Sequence, residues 1–307
     1  MELRQLRYLV GISEAGSLLA ASRTLHVAQP ALSQAIATLE YEVGVKLFTR
    51  TNRGMALTDD GRTFVEHARI VLADVERAKG AVRRESTDLR GEVAVGLPTT
   101  VALVATLPIL QAARRRYPGI RLKLIESHTG FLQEWLQTGR LDLALLFAAP
   151  SESAIEQRPL LEERLGLVTR TDGAPVLPET ALSDAARHPL VLPSRDHGLR
   201  RIVDEACARC GVELDVVAEI DSLPNIKKAV EAGFAATILS PGAVADEVAA
   251  GKLAISTLAT PHIARKVVCA TSPTRPTTPA TAALIEIITT ELKSMVDQQA
   301  WPARWMG

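Results

Sequence analysis

The chain has 307 residues, of which 47% are hydrophobic, so it is long enough for two or three domains with buried cores and too apolar to be disordered. Lysine plus arginine number 35, and so do aspartate plus glutamate, so the net charge neither indicates nor excludes a nucleic-acid partner. The cysteines number 3, too few for a disulfide framework, and no apolar run has the length of a signal peptide or a membrane span. We therefore expect a cytoplasmic protein.

The first 58 residues predict a helical unit with a two-stranded appendage. A helix is expected over residues 3–15, and Ser17 is a suitable N-cap for a short second helix. A third helix is expected from Gln29 to Val43, and residues 46–57 are expected to form two short strands around a turn. The order helix, helix, turn, helix and two strands predicts a winged helix-turn-helix.

The predicted third helix has two different faces. One face is an apolar stripe with helical spacing, formed by Leu32, Ile36, Leu39 and Val43. The other face carries small or short uncharged residues, namely Gln29, Pro30, Ser33, Gln34 and Ala37. Side chains that both donate and accept hydrogen bonds suit base edges in the major groove of DNA. The alternative is an ordinary helix with a polar, solvated face.

A dense set of positions in this region matches the N-terminal signature of a known family. The matching positions are Gly16-Ser17, Ala20-Ala21, Leu25, Gln29 to Ser33, Ile36, Leu39-Glu40, Gly44, Leu47-Phe48, Arg50, Leu57-Thr58 and Gly61. This pattern resembles the LysR-type transcriptional regulators. The resemblance implies that the helix reads DNA through Gln29, Pro30, Ser33 and Gln34, and that Arg50 and Arg53 of the wing contact phosphate or the minor groove.

A long helix is expected from Asp59 to about Glu85, with Thr58 as its cap. Apolar residues recur on it at alternating spacings of four and three, which is a heptad seam. The seam residues are Phe64, Ala68, Val71, Val75, Ala78 and Val82. A narrow seam between charged flanks favours a second copy of the same helix as the partner, and packing on its own domain is the alternative.

The family resemblance extends these expectations to the assembly. It implies that the linker helix is the dimer contact and that two dimers form a tetramer. It further implies that the tetramer binds an interrupted inverted repeat in double-stranded DNA of the bacterial nucleoid and contacts RNA polymerase. No membrane partner is expected.

From residue 91 onward, strands and helices alternate, and the expected strands include 120–126, 190–192, 237–239 and 266–271. This alternation predicts parallel sheets covered by helices on both faces. This order resembles the two-lobed, periplasmic-binding-protein-like α/β effector domain of the same family. The expected domains are a winged helix-turn-helix at 1–58, a linker helix at 59–90 and an effector domain at 91–307, with lobe I at 91–163 and 266–307 and lobe II at 164–265. The segments 192–195 and 220–223 resemble the nitrogen-assimilation-control subgroup.

Polar residues follow several of the predicted strands, where a cleft between two lobes would lie. Hydroxyls at the start of a helix, together with Arg195 and a histidine that can be protonated, suggest a small anionic or carboxylate effector. The candidate effector residues are Thr99, Thr100, Ser127, Thr129, Phe147, Arg195, His197 and Ser222. The alternative is that they are polar caps and loop residues, and the identity of the effector stays open.

Two other classes of function are alternatives to a transcription regulator. An enzyme would need a catalytic, metal-binding or cofactor-binding motif, and the sequence offers none. A redox sensor would use Cys207 and Cys210, which lie one helical turn apart, but the spacing favours two partly buried structural cysteines, because no second Cys/His pair accompanies them.

Overall fold

The computed structural model describes residues 1–51, 54–81, 89–148, 155–172, 177–272 and 277–307. The chain forms two compact units, one with the elements up to Ala81 and one with the elements from Gly91 onward. Within the described ranges, no helix is both long enough and apolar enough to cross a membrane.

The first unit is a winged helix-turn-helix followed by a long helix, as the sequence predicts. Its elements are α1 (Leu3–Ala15), α2 (Leu18–Leu25), α3 (Gln29–Val43), β1 (Phe48–Thr51), β2 (Gly54–Leu57) and α4 (Asp59–Ala81). Ser17 caps α2 by accepting a hydrogen bond from the Ala20 N–H at 3.1 Å. Gly44 ends α3 in the left-handed conformation, with φ of 79°. The strands β1 and β2 are antiparallel.

The apolar stripe of α3 is buried in the core of this unit, which confirms its predicted orientation. Leu32 and Leu39 are fully buried, and Ile36 is 4% exposed. They share this core with Leu9 and Ile12 of α1. Because one face of α3 is fixed in this way, its opposite face is left at the surface.

The start of the predicted seam on α4 packs within its own unit. Ala68 is 2% exposed and belongs to the core that α1 and α3 share, and Phe64 packs against the same core while partly buried. The expectation that Ala68 contacts a second copy is therefore wrong, because the first turns of α4 lie on α1. Val71 is 41% exposed and Ala78 is also exposed, whereas Val82 lies outside the described residues.

The second unit is a mixed α/β structure with two lobes. Its elements in chain order are β3 (Gly91–Leu97), α5 (Thr99–Arg116), β4 (Ile120–Glu126), α6 (Thr129–Gln137), β5 (Leu143–Phe147), β6 (Glu156–Arg164), β7 (Gly166–Arg170), β8 (Glu179–Ala181), α7 (Leu182–Ala185), β9 (Leu190–Leu192), α8 (Gly198–Cys210), β10 (Val216–Glu219), α9 (Leu223–Glu231), β11 (Thr237–Leu239), a 3₁₀ turn (Pro241–Ala243), α10 (Ala245–Ala249), β12 (Leu253–Thr260), β13 (Ala264–Thr271), α11 (Pro279–Asp297) and β14 (Arg304–Trp305).

The sheets of this unit are mixed rather than parallel, which corrects the prediction. One lobe has a six-stranded sheet in the order β14-β6-β13-β5-β3-β4, where β3 is parallel to β4 and β5 but β13 is antiparallel to β5 and β6. The other lobe has β7 antiparallel to β11 and β12, and a parallel pair of β9 and β10. Strand direction depends on pairing between distant segments, which the local alternation of strands and helices does not encode.

Helices cover both faces of the six-stranded sheet. Val93 and Val95 of β3 face the core that contains α5 and α11, whereas Ala94 faces a second cluster with Leu132 of α6. A side chain at Gly96 would lie 2.8 Å from Leu132, so the close packing of α6 requires glycine there. This two-sided burial explains why the strands read as continuous apolar runs in the sequence.

The chain passes twice between the two lobes, and both crossings lie next to each other. The first crossing joins β6 to β7 at Leu165, and the second joins β12 to β13 between Thr260 and Ala264. Because β6 and β13 pair along their length, the two crossings enter and leave the six-stranded sheet side by side. The segments that follow β3, β4, β5 and β9 lie around this junction.

We expect Gly61→Ala to destabilise the first unit by about 1–3 kcal/mol, the usual cost of overpacking. An added Cβ at Gly61 would overlap the carbonyl oxygen of Leu47, which is backbone and has little room to move. Urea unfolding of the full chain measures the change. Gly130→Ala is the matched control, because that glycine also lies in a helix and its Cβ would meet nothing within 4 Å. Equal stability of the two variants would contradict this packing.

Candidate nucleic-acid interface and effector cleft

The exposed face of α3 carries the residues that the sequence assigns to DNA reading. Gln29, Pro30 and Gln34 are exposed and Ser33 is partly exposed. Within the described part of the chain, no hydrogen bond uses the side chains of Gln29, Ser33 or Gln34, so their donors and acceptors face solvent. Helix α3 contains no lysine or arginine. This face therefore offers hydrogen-bonding groups and the ring of Pro30 instead of positive charge.

A buried carboxylate joins α3 to the wing. Glu40 is 8% exposed, and its Oε1 accepts hydrogen bonds from the backbone N–H of Leu47 at 2.9 Å and of Phe48 at 3.1 Å. Its Oε2 accepts a bond from the Lys46 ammonium at 2.6 Å. Burial alone would raise the pKa of Glu40, but the bonds from Lys46, Phe48 and Leu47 together hold it below 4.5. The start of β1 is thereby fixed relative to α3.

Backbone contacts hold the other end of the wing. The Met55 N–H donates to the Gly16 carbonyl at 2.9 Å, which ties β2 to the turn between α1 and α2. The Thr58 hydroxyl donates to the Lys46 carbonyl at 2.7 Å and accepts from the Gly61 N–H at 2.8 Å, so it also caps α4. The backbone of Arg50 lies in β1, but its side chain and all of Arg53 lie outside what the structure describes.

A buried arginine marks the junction between the two lobes of the second unit. Arg265, at the start of β13, is 4% exposed and lies opposite Glu163 of β6. Its Nε donates to Glu163 Oε1 at 2.6 Å. Its Nη2 donates to Thr100 Oγ1 at 2.9 Å, at the start of α5, and to Ser240 Oγ at 3.1 Å, after β11. One guanidinium therefore binds a hydroxyl from each lobe.

The surroundings of Arg265 fix it in place. Glu163 is 1% exposed, and its other oxygen accepts a bond from the Trp301 indole N–H at 2.9 Å. The guanidinium carbon lies 3.8 Å from the centre of the Phe147 ring, a cation–π contact. Thr100 and Phe147 were both predicted as effector residues, and they meet at Arg265.

Two histidines from opposite lobes meet near the same place. His128 follows β4 and His197 precedes α8, and their ring centres lie 5.2 Å apart, edge to face. His197 caps α8, because its Nδ1 accepts a hydrogen bond from the Leu199 N–H at 3.1 Å. Burial, then the charge that His128 can carry, then Arg265 lower the pKa of His197 from 6.5 to about 4.

The loop that carries His197 is anchored from behind. Arg200 of α8 is 4% exposed and donates to the Pro193 carbonyl at 3.2 Å and to Glu219 at 2.9 Å. Asp221 accepts bonds from the Ser194 N–H at 2.9 Å and from the Ser194 hydroxyl at 2.8 Å. These two bonds lower the pKa of the Asp221 carboxyl.

The other predicted effector residues are less closely tied to this cluster. Thr99 and Thr129 begin α5 and α6 and are half-buried, as is Ser127 after β4. Ser222 is exposed at the N-cap of α9 and makes no cap bond. Arg195 is exposed, and none of the described hydrogen bonds or ion pairs involves it. Its proposed role has no support from the described contacts.

Two residues of the cluster were missed in the sequence. Ser240 directly follows the predicted strand at 237–239, so the rule that polar residues after strand ends line a cleft would have found it. Arg265 lay outside the strand predicted from Lys266, whereas β13 begins at Ala264. A charged residue just before a buried strand gives no local signal that it is itself buried.

The cysteines of α8 have the features of structural residues. Cys207 is buried and Cys210 exposed, and burial, followed by Asp204 and Cys210, raises the pKa of Cys207. Because the thiolate is the reactive form, this environment opposes a redox role.

Comparison with known proteins agrees with the two-unit architecture. The family model of the bacterial regulatory helix-turn-helix protein, lysR family, matches residues 3–62, and that of the LysR substrate binding domain matches residues 86–293. The nitrogen assimilation regulatory protein nac of Klebsiella aerogenes is 38% identical over 246 residues, which cover 79% of this chain and 79% of that protein.

A second relative and a solved structure show the same similarity. A hydrogen peroxide-inducible genes activator of Pectobacterium carotovorum subsp. carotovorum is 32% identical over 240 residues, which cover 78% of this chain and 80% of that protein. A full-length OxyR variant from Pseudomonas aeruginosa is 26% identical, with a TM-score of 0.73 over 95% of both chains.

A winged helix-turn-helix followed by a two-lobed α/β unit, with polar side chains from both lobes in contact at their junction, is the architecture of a DNA-binding regulator that carries its own sensor domain. The chain belongs to the LysR family of bacterial transcriptional regulators, with nac among its relatives. It is a DNA-binding transcriptional regulator with an effector-binding domain, and not an enzyme. Members of this family bind DNA and form oligomers.

We expect Glu40→Gln to lower the stability of the first unit by about 1.5–3 kcal/mol at neutral pH, the usual worth of hydrogen bonds to a charged group. The pKa of Glu40 is lower in the folded state than in the unfolded state, so its contribution is complete above pH 4.5 and is lost as the pH falls through the folded value. The difference between wild type and variant should therefore shrink at acidic pH.

Urea unfolding between pH 3 and pH 7 measures this effect. Glu42→Gln is the matched control on the same helix, because the one contact of Glu42 within the described residues is an exposed ion pair, at 2.8 Å, with the N-terminal ammonium. A loss for Glu40→Gln that stayed constant with pH would be inconsistent with a buried, ionised Glu40.

Proposed function

We propose that the exposed face of α3 reads the operator through Gln29, Pro30, Ser33 and Gln34. The free hydrogen-bonding side chains on this face support the proposal. Gln29 suits a bidentate contact to adenine, and Pro30 suits contact with a thymine methyl group. Arg50 and Arg53 of the wing supply the contacts to phosphate or the minor groove that α3 lacks.

We infer that the working form contains more than one reading helix. A single helix contacts too few base pairs to be selective in a genome, so two copies on an interrupted inverted repeat are needed. The part of the seam that is not buried within its own unit supports a dimer through this helix: Val71 and Ala78 of α4 are exposed and Val75 is partly exposed. We further propose a tetramer built as a dimer of dimers, which acts on nucleoid DNA in the bacterial cytoplasm and contacts RNA polymerase. We also propose that the winged helix-turn-helix spans residues 1–58, the linker helix residues 59–90 and the effector domain residues 91–307.

We propose that a small anion, with a carboxylate or a similar oxyanion group, is the effector, and that it binds between the lobes. The observation that carries this proposal is the Arg265 guanidinium, which holds hydroxyls of Thr100 and Ser240 from opposite lobes. A ligand oxyanion that binds the guanidinium or these hydroxyls would replace contacts that join the two lobes. The affinity for the ligand therefore differs between one arrangement of the lobes and another. The groups around this site are positively charged or can be protonated, so they favour a negatively charged ligand.

We expect Gln29→Ala and Ser33→Ala to weaken specific DNA binding by about 1–3 kcal/mol for each lost base contact. The operator is first obtained by selection from genomic fragments, and affinity is then measured on this DNA and on a scrambled copy. Binding to the scrambled DNA should change little. Thr63→Ala is the control, because Thr63 is an exposed threonine of α4 that lies outside α3. Equal losses on both DNAs would exclude base reading by these residues.

We expect Thr100→Val to lower the affinity for an activating carboxylate about tenfold, since it removes one hydroxyl of the cleft at nearly constant volume. Small carboxylates are screened by thermal shift on the full chain, and operator binding is measured with each one that stabilises it. Thr289→Val is the control, because that threonine bonds only the Ile285 carbonyl within α11. The proposal fails if no carboxylate stabilises the chain, or if the two variants bind alike.

A further inference from the structure

One of the two histidines between the lobes, His197, has a structural role that does not depend on a ligand. His197 Nδ1 accepts the Leu199 N–H and so caps α8. A neutral imidazole has one acceptor nitrogen, and the cap uses it. The proton of neutral His197 is therefore on Nε2. Protonation of His197 would place hydrogen on Nδ1 as well, and the cap bond would be lost.

The charges around His197 oppose this protonation. His128 faces it from the loop before α6, Arg265 from β13 and Arg201 from α8, and all three lower the pKa of His197. Asp221, from the loop before α9, is a carboxylate that raises this pKa, and it already binds Ser194. Charging both imidazoles would place two like charges 5.2 Å apart.

An oxyanion bound beside His197 would favour the protonated form of this histidine. Burial is the largest cause of the low pKa of His197, and the anion would offset the next two, which are the charges of His128 and Arg265. Its oxygens could also accept the Leu199 N–H, because anions bind well at helix N-termini. The anion and the cap function of His197 thus compete for the same donor.

We propose that His128, His197 and Arg265 form an oxyanion subsite that takes up a proton with its ligand, and that His197 receives this proton as it leaves the N-cap of α8. This inference rests on the proposed anionic effector and specifies its chemistry. The subsite selects ligands with a full negative charge over neutral ones. The subsite also links the N-terminus of α8, in one lobe, to a ligand bound by Arg265, in the other lobe.

The pH dependence of binding follows from the two protonation states. Free His197 has a pKa of about 4, and the anion raises it. Between the free and the bound values, each bound anion brings a proton, so the affinity rises about tenfold for each unit by which the pH falls. At a pH above the pKa of His197 in the bound state, or below its pKa in the free state, the affinity no longer changes with pH through this histidine.

Sulfate is the probe for the test, because its charge stays constant over this pH range. We expect calorimetric titrations of the full chain, in two buffers with different ionisation enthalpies, to show uptake approaching one proton for each sulfate at about pH 6. The pKa of His197 followed by NMR with ¹³C-labelled histidine should rise when sulfate is added. His128→Asn should raise the same pKa without sulfate, since it removes a neighbouring positive charge.

His197→Asn separates the two roles of the residue. Asparagine is a good N-cap and accepts the Leu199 N–H, but it does not titrate. This variant should lose the proton uptake that His197 contributes, so its uptake for each sulfate and its change of affinity with pH should both be smaller than those of the wild type. His188→Asn is the matched control, because His188 is exposed and lies outside the cluster, and it should behave as wild type.

The outcomes distinguish this inference from the proposal on which it rests. Sulfate binding without proton uptake, or equal uptake by wild type and His197→Asn, overturns the proton-coupled subsite and leaves an anionic effector in place. Failure of both sulfate and the screened carboxylates to bind overturns the anionic effector as well.

Discussion

The ion pair between Arg265 and Glu163 is the interaction on which the second unit depends. Both side chains are almost fully buried, so each pays a large desolvation cost that only a well-satisfied partner can offset. The structure meets this requirement, because Glu163 also binds Trp301 and Arg265 also binds Thr100, Ser240 and the face of Phe147. Such a pair adds little stability over an apolar one, but it fixes one geometry at the point where the chain crosses between lobes.

The first unit contains a smaller version of the same arrangement at Glu40. There too a buried carboxylate accepts hydrogen bonds from several donors, and there too it joins two parts of the unit, namely α3 and the wing. In both units a charged group in the interior, with its hydrogen bonds satisfied, fixes the relative position of the parts that it joins.

The sequence predicted features that depend on local patterns. The stripe of Leu32, Ile36 and Leu39 located α3 and its buried face, and the runs at 120–126 and 190–192 were found with their limits. Features that depend on distant partners were missed. Strand β6 contains Pro159 and several charged residues, so it lacks a strand signal, yet it pairs with both β13 and β14.

The same distinction explains the mixed result for the functional residues. The heptad pattern on α4 identified an apolar face, but periodicity does not show what covers that face, and Ala68 packs on its own unit. Thr100 was found because it follows a strand, and Phe147 because it ends one. Arg265 was missed because its importance comes from Glu163, which lies about a hundred residues away in the chain.

The absence of lysine and arginine from α3 has a consequence for the search for an operator. Affinity for random DNA comes mostly from cations that displace condensed counterions from the phosphates. A helix without cations releases few of them, so the surface of α3 adds little to the affinity for non-operator sequence. The affinity for bulk DNA would then depend on cations outside α3, such as those proposed for the wing, and α3 would contribute selectivity through contacts to bases.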